Sequence, residues 1–342
     1  MARTTIHLTP LDDGSVSVAA QLDGRHSEHI APALMVADVR QKVETLMQGF
    51  ETGRRPLADP MALKEIGHAL QDVFFAPLES PNGSVAGDNF QRLVIVSEDP
   101  ACLNLPWELL PGANGEFLVA DARCTIRRST RAELAPASLP LAAPPLRILF
   151  TACAPTDLDG LDYEKEEEAI LRIADKLGRR VNLEIAEAGT FEELRDLIVE
   201  HRPHIVHLSG HGSVHEGIGS FAFENESGRL DSRDAREIAA QLFAGSSVRL
   251  VFVNACQTAQ AAASGVCQTL TAAGHVPLAL GWGASIADDH ATEFARLFFH
   301  DLAAGQTIDH AMSAARAALL ERCRIRDGAV DLLDASFALP QL

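Results

Sequence analysis

The stretch RLVFVNACQTA, residues 249–259, is a run of mostly apolar residues that ends abruptly around Cys256. A second stretch, HIVHLSGHG at residues 204–212, is also apolar and then breaks at His211, which has a glycine on each side. Short continuous apolar runs bounded by turn residues are typical of strands buried on both faces of a parallel sheet. We therefore predict that the two stretches are neighbouring parallel strands, whose carboxyl ends place Cys256 beside His211.

A thiol beside an imidazole is the minimal apparatus for nucleophilic attack on an acyl carbon. A free cysteine has a pKa near 8.5, and a protonated histidine or a helix amino terminus lowers that value. Cys256 is expected to have both, because QTAQAAASG after it reads as the start of a helix. The glycines that flank His211 predict a sharp turn with room for a substrate chain. His207 is the competing imidazole, and its place inside the strand predicts a hydrogen-bonded core group.

From residue 146 onward, strands alternate with helices. The predicted strands are 146–152, 181–186, 204–209, 249–254 and 275–282, and the predicted helices are 162–177, 191–201, 232–243, 289–304 and one capped by Thr307. Such alternation indicates an α/β fold, a mostly parallel sheet with helices on both faces. The acidic run Glu164 to Glu168 is expected to be a solvated helix start that complements the helix dipole.

Three regions follow from the change in pattern along the chain. Residues 1–130 predict a smaller α+β domain with a hairpin within 1–30, two helices and a buried strand at 91–97. Residues 131–145 are rich in proline and predict a linker. Residues 146–342 form the α/β domain. The first region is either a degenerate copy of the second fold or a layer that packs directly onto the second sheet.

Composition excludes several classes of function. The chain has 342 residues, 47% of them apolar, and a formal net charge of −18, so phosphate neutralisation on a nucleic acid is not expected. No signal peptide and no apolar run of membrane-spanning length is recognisable. The six cysteines form no C-x-x-C pair and match no zinc pattern, which predicts no metal site and reduced thiols in a cytoplasmic protein.

At this point the motifs resemble those of the CHAT family, a branch of the caspase-like cysteine peptidases that also includes separase, metacaspases and gingipains. The resemblance rests on HIVHLSGHG followed by RLVFVNACQTA and covers roughly residues 60–340. Further stretches support it: LPWELLPGANGEFLVADARCTIRR, the acidic helix around Glu164 to Glu168, GVCQTLTAAGHVPLALGWGASIADDHATEFARLFFHDLAAGQT and DASFALP.

The resemblance implies a caspase-like sheet with His211 and Cys256 as the catalytic dyad. It also implies an oxyanion site formed by the backbone N–H groups of Gly212 and Cys256, which would stabilise a tetrahedral intermediate. Family members cut peptide bonds without a metal or an organic cofactor. Many are fused to sensor domains, and because none is recognisable here, an activating or sensor protein is expected as a separate partner.

Substrate selection is expected at the turn CAPTDLDG, residues 153–160, because the equivalent turn in caspase-like peptidases often contacts the side chain before the cut. Asp157 or Asp159 would pair with a substrate arginine or lysine, and Trp282 would form an apolar wall beside it. The alternative for both aspartates is a turn-forming role. Metacaspases carry an aspartate two residues before the cysteine, where this sequence has Asn254.

Two classes of function remain open, together with a variant of the first. The sequence favours a cysteine endopeptidase that cleaves a protein or peptide substrate through an acyl-enzyme intermediate. The alternative is a catalytically silent module that keeps the fold and signals by binding. A thiol hydrolase of small amides or esters is also compatible, because it would use the same dyad chemistry.

Overall fold

The computed structural model of the chain describes residues 2–22, 25–51, 57–75, 91–112, 115–131, 142–158, 163–215, 218–256, 261–284, 286–327 and 330–342. Its contacts divide the chain into two compact units, which are described separately below. The first unit contains residues 1–135 and 312–339, and the second contains residues 136–311 and 340–342. None of the described helices combines the length and the apolar character needed to cross a bilayer.

The first unit is built on a five-stranded sheet with the strand order β3-β2-β1-β5-β6. Its elements are β1 (Ala2–Pro10), β2 (Val16–Leu22), β3 (Arg25–Ala31), α1 (Ala33–Glu51), β4 (Leu57–Ala58), α2 (Pro60–Phe74), β5 (Gln91–Val96), α3 (Pro100–Leu103) and β6 (Cys124–Ser129). The hairpin predicted within residues 1–30 is present, and β3 extends it to a three-stranded meander. Strand β5 pairs in parallel with β1 and β6, so this sheet is mixed.

The core of the first unit is organised around Trp107. This residue is fully buried, its ring lies 5.2 Å from that of Phe74, and its indole N–H donates to the Cys102 carbonyl at 3.1 Å. Beside it, the Glu108 carboxylate accepts two hydrogen bonds from Arg128, at 2.8 and 2.7 Å. Burial of these charges is tolerated because the bidentate geometry satisfies both carboxylate oxygens.

The second unit contains the α/β alternation expected from residue 146 onward. Its elements are β7 (Leu146–Ala152), α4 (Tyr163–Leu177), β8 (Val181–Ile185), α5 (Phe191–His201), β9 (Ile205–His215), β10 (Ile218–Glu224), β11 (Leu230–Asp234), α6 (Ala235–Ile238), β12 (Leu250–Cys256), α7 (Ala261–Ala272), β13 (Ala279–Trp282) and α8 (Asp288–Ala303). Helix α9 (Ile308–Cys323) follows, and the chain ends with β14 (Arg324–Asp327), β15 (Val330–Asp334) and β16 (Pro340–Gln341).

The sheet of the second unit has β9 at its centre. Strand β9 pairs in parallel with β7 on one side and with β12 on the other, and β12 pairs in parallel with β13. Strand β8 lies outside β7 in parallel, and the short β16 adds an antiparallel strand beyond β13. The mostly parallel α/β fold predicted from the sequence is therefore confirmed.

The two faces of this sheet carry different helices, as the period of two along a strand requires. On one face, α5, α6 and α7 cover a buried apolar cluster that includes Val206, Leu208, Val251 and Val253. On the other face, Phe252 packs against the rings of Phe294, Phe298 and Phe299 on α8. His207 and Asn254 belong to this second face, because they alternate with the cluster residues.

Three local predictions differ from the structure. Strand β9 does not break around His211 but continues to His215, because its second half pairs antiparallel with β10. The helix predicted over 232–243 is the short α6 followed by a π-helical turn at 239–243. The predicted fifth strand, 275–282, is shorter, since β13 begins only at Ala279.

The predicted boundaries 1–130, 131–145 and 146–342 remain a prediction of separate domains, and most of the linker, 132–141, lies outside the described residues. The contact grouping differs from them by assigning residues 312–339 to the first unit. Two contacts explain this: Ser313 donates to the Cys124 carbonyl at 2.8 Å, and Arg316 donates to Glu108 at 3.2 Å. The origin of the first unit from a degenerate peptidase also remains a prediction.

Candidate active site

The two strands that carry the predicted dyad are direct neighbours. Strands β9 and β12 pair in parallel from Ile205 and Leu250 onward, and Cys256 is the Cα partner of His211 at the end of that ladder. Neighbouring strands lie about 4.8 Å apart, so the two backbones are at contact distance here. The structure describes the backbone of Cys256, and residues 257–260 lie outside the described part. Helix α7 begins at Ala261, and the effect of its amino terminus on the thiol remains a prediction.

His211 lies where the ladder between β9 and β12 ends and the ladder between β9 and β10 begins. It is opposite Cys256 in the parallel ladder and opposite Ala222 in the antiparallel ladder with β10, and its side chain is only 9% exposed. The preceding Gly210 is needed for close packing rather than for a sharp turn: a Cβ there would lie 2.6 Å from the Phe221 ring. Gly210 therefore lies in a tightly packed part of β9 and not in the sharp turn that was predicted.

A buried carboxylate contacts the residues that lie two positions before His211 and Cys256 on their strands. Glu166 on α4 is only 5% exposed, although the sequence predicted a solvated helix start for this acidic run. Its Oε2 atom accepts a hydrogen bond from the Ser209 hydroxyl at 2.7 Å, and its Oε1 atom accepts one from the Asn254 amide. The prediction for this residue was wrong because Glu166 shares the inward helical spacing of Ile170 and Ile173, which are both buried.

Asn254 is held from its other end by Trp282. The indole N–H of Trp282 donates to Asn254 Oδ1, so both ends of the amide are used by side chains. The sequence offered no signal for this pair, which forms only when β12 and β13 are neighbours. Trp282 is 2% exposed, and in this structure it supports Asn254 from the core instead of presenting the open apolar wall that was expected.

His207, the competing imidazole, lies farther down the strand. Its register partner on β12 is Phe252, and its ring is enclosed by Phe252, Phe150 and Phe299 with centroids 4.5, 5.2 and 5.5 Å away. Its Nε2 atom lies 2.9 Å from Glu166 Oε1, an electrostatic contact rather than an aligned hydrogen bond. His207 is fully buried, as predicted, but the predicted hydrogen bond is not formed by either ring nitrogen within the described part of the chain.

The other predicted site residues have mixed outcomes. Asp157 accepts a hydrogen bond from the Leu230 N–H at 2.8 Å, which ties the turn after β7 to β11 and fits the turn-forming alternative. Asp159 lies outside the described residues. Gly212 is opposite Phe221 in the β9–β10 ladder, and the oxyanion role of its N–H remains a prediction. Cys153 is fully packed in the core, and burial raises the pKa of its thiol well above the usual range.

Comparisons with known proteins agree with this architecture. Residues 64–338 match the CHAT domain. No curated protein sequence matches the chain at a significant level. Among solved structures, two crystal structures of the Saccharomyces cerevisiae separase–securin complex are similar, with TM-scores of 0.56 and 0.54 and 11% identity in each case.

Each of these alignments covers 99% of this chain but only 29% and 30% of the matched chain, so the protein spans about three tenths of the length of those relatives. At this identity the likeness shows the fold, and the sequence match shows the family. The resemblance read from the His-Gly and Asn-Ala-Cys motifs is confirmed: the chain belongs to the CHAT domain family.

Proposed function

We propose that the protein is a cysteine endopeptidase whose nucleophile is Cys256 and whose general base is His211. The observation that carries the proposal is the register of β9 and β12, in which these two residues are Cα partners. Registered residues of neighbouring strands share a face of the sheet, so this register supports a thiol and an imidazole at these positions acting as a pair. The register of His207 with Phe252 argues against His207 in this role.

The chemistry needs only groups of this chain and water. His211 takes the thiol proton, and the thiolate attacks the carbonyl carbon of the scissile bond. Backbone N–H groups of Gly212 and Cys256 would stabilise the oxyanion. When the intermediate collapses, the amine leaves with the proton from His211, and Cys256 holds the acyl group as a thioester. Water, deprotonated by His211, then hydrolyses that thioester and regenerates the thiol.

For the substrate, we propose a protein segment with a basic side chain before the cut. Asp157 stands in the turn that precedes α4, is exposed, and uses Oδ1 for the Leu230 N–H. Asp159 follows it in the same turn. A carboxylate in this turn would pair with arginine through two parallel hydrogen bonds. Loss of preference for basic residues in an Asp157→Asn, Asp159→Asn double variant would support this assignment.

Control by a partner protein is the second part of the proposal. His211 is only 9% exposed, so a shift in the surrounding chain would widen access for a folded protein substrate, whereas short peptides would be cleaved at a basal rate without it. A partner that binds near the β10–β11 hairpin would supply that shift, because β10 packs directly along the second half of β9. The relatives of similar fold are recorded in a complex with securin, a protein partner.

A cleavage screen with a matched control tests the function. The purified protein, its Cys256→Ala and His211→Ala variants and a Cys267→Ala control are each incubated with a library of peptides. Cys267 lies in α7 and is buried, so its replacement controls for a general loss of a thiol. We expect cleavage by the unsubstituted protein and the control alone. Equal cleavage by Cys256→Ala would contradict the proposal, and absence of cleavage in all four proteins would favour the silent binding module.

A further inference from the structure

Helix α4 turns one of its acidic side chains into the core. Glu164 and Glu168 on this helix are exposed, whereas Glu166 is 5% exposed. Removing a carboxylate from water is costly unless hydrogen bonds replace its hydration, so a buried glutamate at this place needs partners that justify it. The partners of Glu166 come from the two strands that carry the dyad.

Glu166 bridges these strands at one registered pair. Ser209 on β9 and Asn254 on β12 are Cα partners, and each donates a hydrogen bond to a different oxygen of the same carboxylate. The registered pair two residues farther along both strands is His211 with Cys256. Two residues of a strand span about 6.7 Å, so the bridge lies directly behind the dyad.

Asn254 and Ser209, the two donors to Glu166, are each held in place by a further hydrogen bond. The Asn254 amide cannot turn over without losing Trp282, whose indole N–H occupies its oxygen. The Ser209 carbonyl accepts the Cys153 N–H at 2.8 Å, which fixes the backbone of β9 at this point. A carboxylate accepts at both oxygens, and here each oxygen has a donor from a different strand.

We propose that Glu166 is the positioning residue of the dyad: it locks β9 to β12 so that His211 and Cys256 stay within hydrogen-bond reach. This inference rests on the proposed function, since it concerns the same site. Misplacement of a catalytic group by about 1 Å can cost roughly a hundredfold in rate. A thiol that loses its imidazole partner also regains the ordinary thiol pKa, near 8.5.

The reactivity of Cys256 measures this positioning without a known substrate. The rate of alkylation by iodoacetamide is followed between pH 5.5 and 9.5, and each cysteine is resolved by peptide mass spectrometry. The proteins compared are the unsubstituted chain, Glu166→Ala, Glu166→Gln, Ser209→Ala and His211→Ala. Glu164→Ala is the matched control, because it removes an exposed carboxylate from the same helix turn.

We expect Glu166→Ala to slow alkylation of Cys256 at pH 7 by roughly tenfold or more, because a thiol of ordinary pKa is only a few per cent thiolate there. The rates should converge at pH 9.5, where every accessible thiol is ionised. Glu166→Gln should stay within about threefold of the unsubstituted protein, since its amide can accept from Asn254 and donate to the Ser209 oxygen. Glu164→Ala should match the unsubstituted profile.

A Glu166→Ala profile that coincides with the unsubstituted one would overturn the inference while leaving the dyad intact. A Gln variant as slow as the Ala variant would also overturn it, because charge rather than bridging would then be responsible. If Glu166→Ala exposes its buried cysteines to the reagent and so reports unfolding, Ser209→Ala decides, with an expected slowing of about threefold. An unchanged Ser209→Ala profile would then overturn the inference.

Failure of the proposed function gives a different pattern. In that case the unsubstituted protein itself shows an ordinary thiol profile, and His211→Ala does not alter it. That result would remove the dyad and the positioning residue together. A lowered Cys256 pKa that depends on His211 but not on Glu166 separates the two claims.

Discussion

The side-chain amide of Asn254 donates a hydrogen bond to the buried carboxylate of Glu166, and this contact joins strand β12 to helix α4 two residues before Cys256. The same amide accepts a hydrogen bond from Trp282, so one end of the side chain must donate and the other must accept. An amide supplies both a donor toward Glu166 and an acceptor toward Trp282, whereas an ionised carboxylate supplies acceptors alone. The choice of asparagine rather than aspartate at this position therefore follows from its partners.

Asn254→Asp should destabilise the protein by roughly 3 kcal/mol at pH 7, because it places a second carboxylate against a buried one. Repulsion raises the folded-state pKa of this carboxyl pair above its unfolded value. The deficit is therefore largest at neutral pH and shrinks as the pH falls toward 4. Urea denaturation at pH 7.5 and pH 5 measures both effects.

The control for that substitution is Asn182→Asp on β8, where the asparagine is exposed. Its free energy of unfolding should change by less than about 0.5 kcal/mol. An Asn254→Asp protein as stable as this control would contradict the hydrogen-bond assignment around Glu166.

The six cysteines should differ sharply in reactivity at pH 7. Burial raises the pKa of Cys102 to about 11, and that of Cys124 and Cys267 to about 12. A brief treatment with iodoacetamide should therefore label Cys256 at least tenfold faster than any of these three. Peptide mass spectrometry gives the ratio, and labelling of Cys256 no faster than the buried Cys323 would show that its thiol is not activated.

The buried Glu108 cluster should dominate the stability of the first unit. Its carboxylate is fully buried and takes hydrogen bonds from Arg128 and Arg316, whose side chains are 5% and 0% exposed. Glu108→Ala leaves two guanidinium groups without their shared counter-charge and should cost about 3–5 kcal/mol in urea denaturation.

Glu116 provides the comparison, because it also contacts two cations, Lys64 and Arg324, but is 36% exposed. Glu116→Ala should cost about 1 kcal/mol or less. Equal costs for the two substitutions would show that burial is not what makes the Glu108 cluster important.

His204 should make the second unit less stable in mild acid. Burial, assisted by the charges of Arg147 and Arg249, lowers the pKa of its imidazole to about 4, and its Nδ1 atom accepts the Arg147 N–H at 3.2 Å. Between pH 6.5 and 4 the unfolded chain binds a proton that the folded chain does not, so the free energy of unfolding falls as the pH drops through this range.

His204→Gln should flatten this decline between pH 7.5 and 5, measured as the shift in the urea midpoint. His68→Gln, at an exposed position of α2, should retain the decline. A pH dependence that is identical in all three proteins would contradict the role of His204.

The parallel sheet could be predicted from the sequence because its strands are continuous apolar runs, and runs such as RLVFVN are as short and as rich in β-branched and aromatic residues as buried strands usually are. The continuation of β9 beyond His211 could not be predicted in the same way. Its glycines were interpreted as a turn, whereas Gly210 provides space for the Phe221 ring of β10. A glycine signals both situations, and only the partner strand distinguishes them.

The residues around the site show the same limit. The positions of His211 and Cys256 followed from two local motifs, but the bridge between their strands depends on α4, which is distant in sequence. Glu166 carried one usable signal: it recurs with Ile170 and Ile173 at helical spacing and so belongs to the inward face. Its neighbours Glu164, Glu167 and Glu168 hid that signal, because a run of acids is typical of a solvated helix start.

The pKa of the Cys256 thiol with and without His211 tests the central claim most directly. It is measured from the pH dependence of alkylation at Cys256 in the unsubstituted protein and in His211→Ala. We predict a value well below 8.5 in the first protein and a return toward 8.5 in the second, because the imidazole stabilises the thiolate. The same pKa in both proteins would contradict a Cys256–His211 dyad.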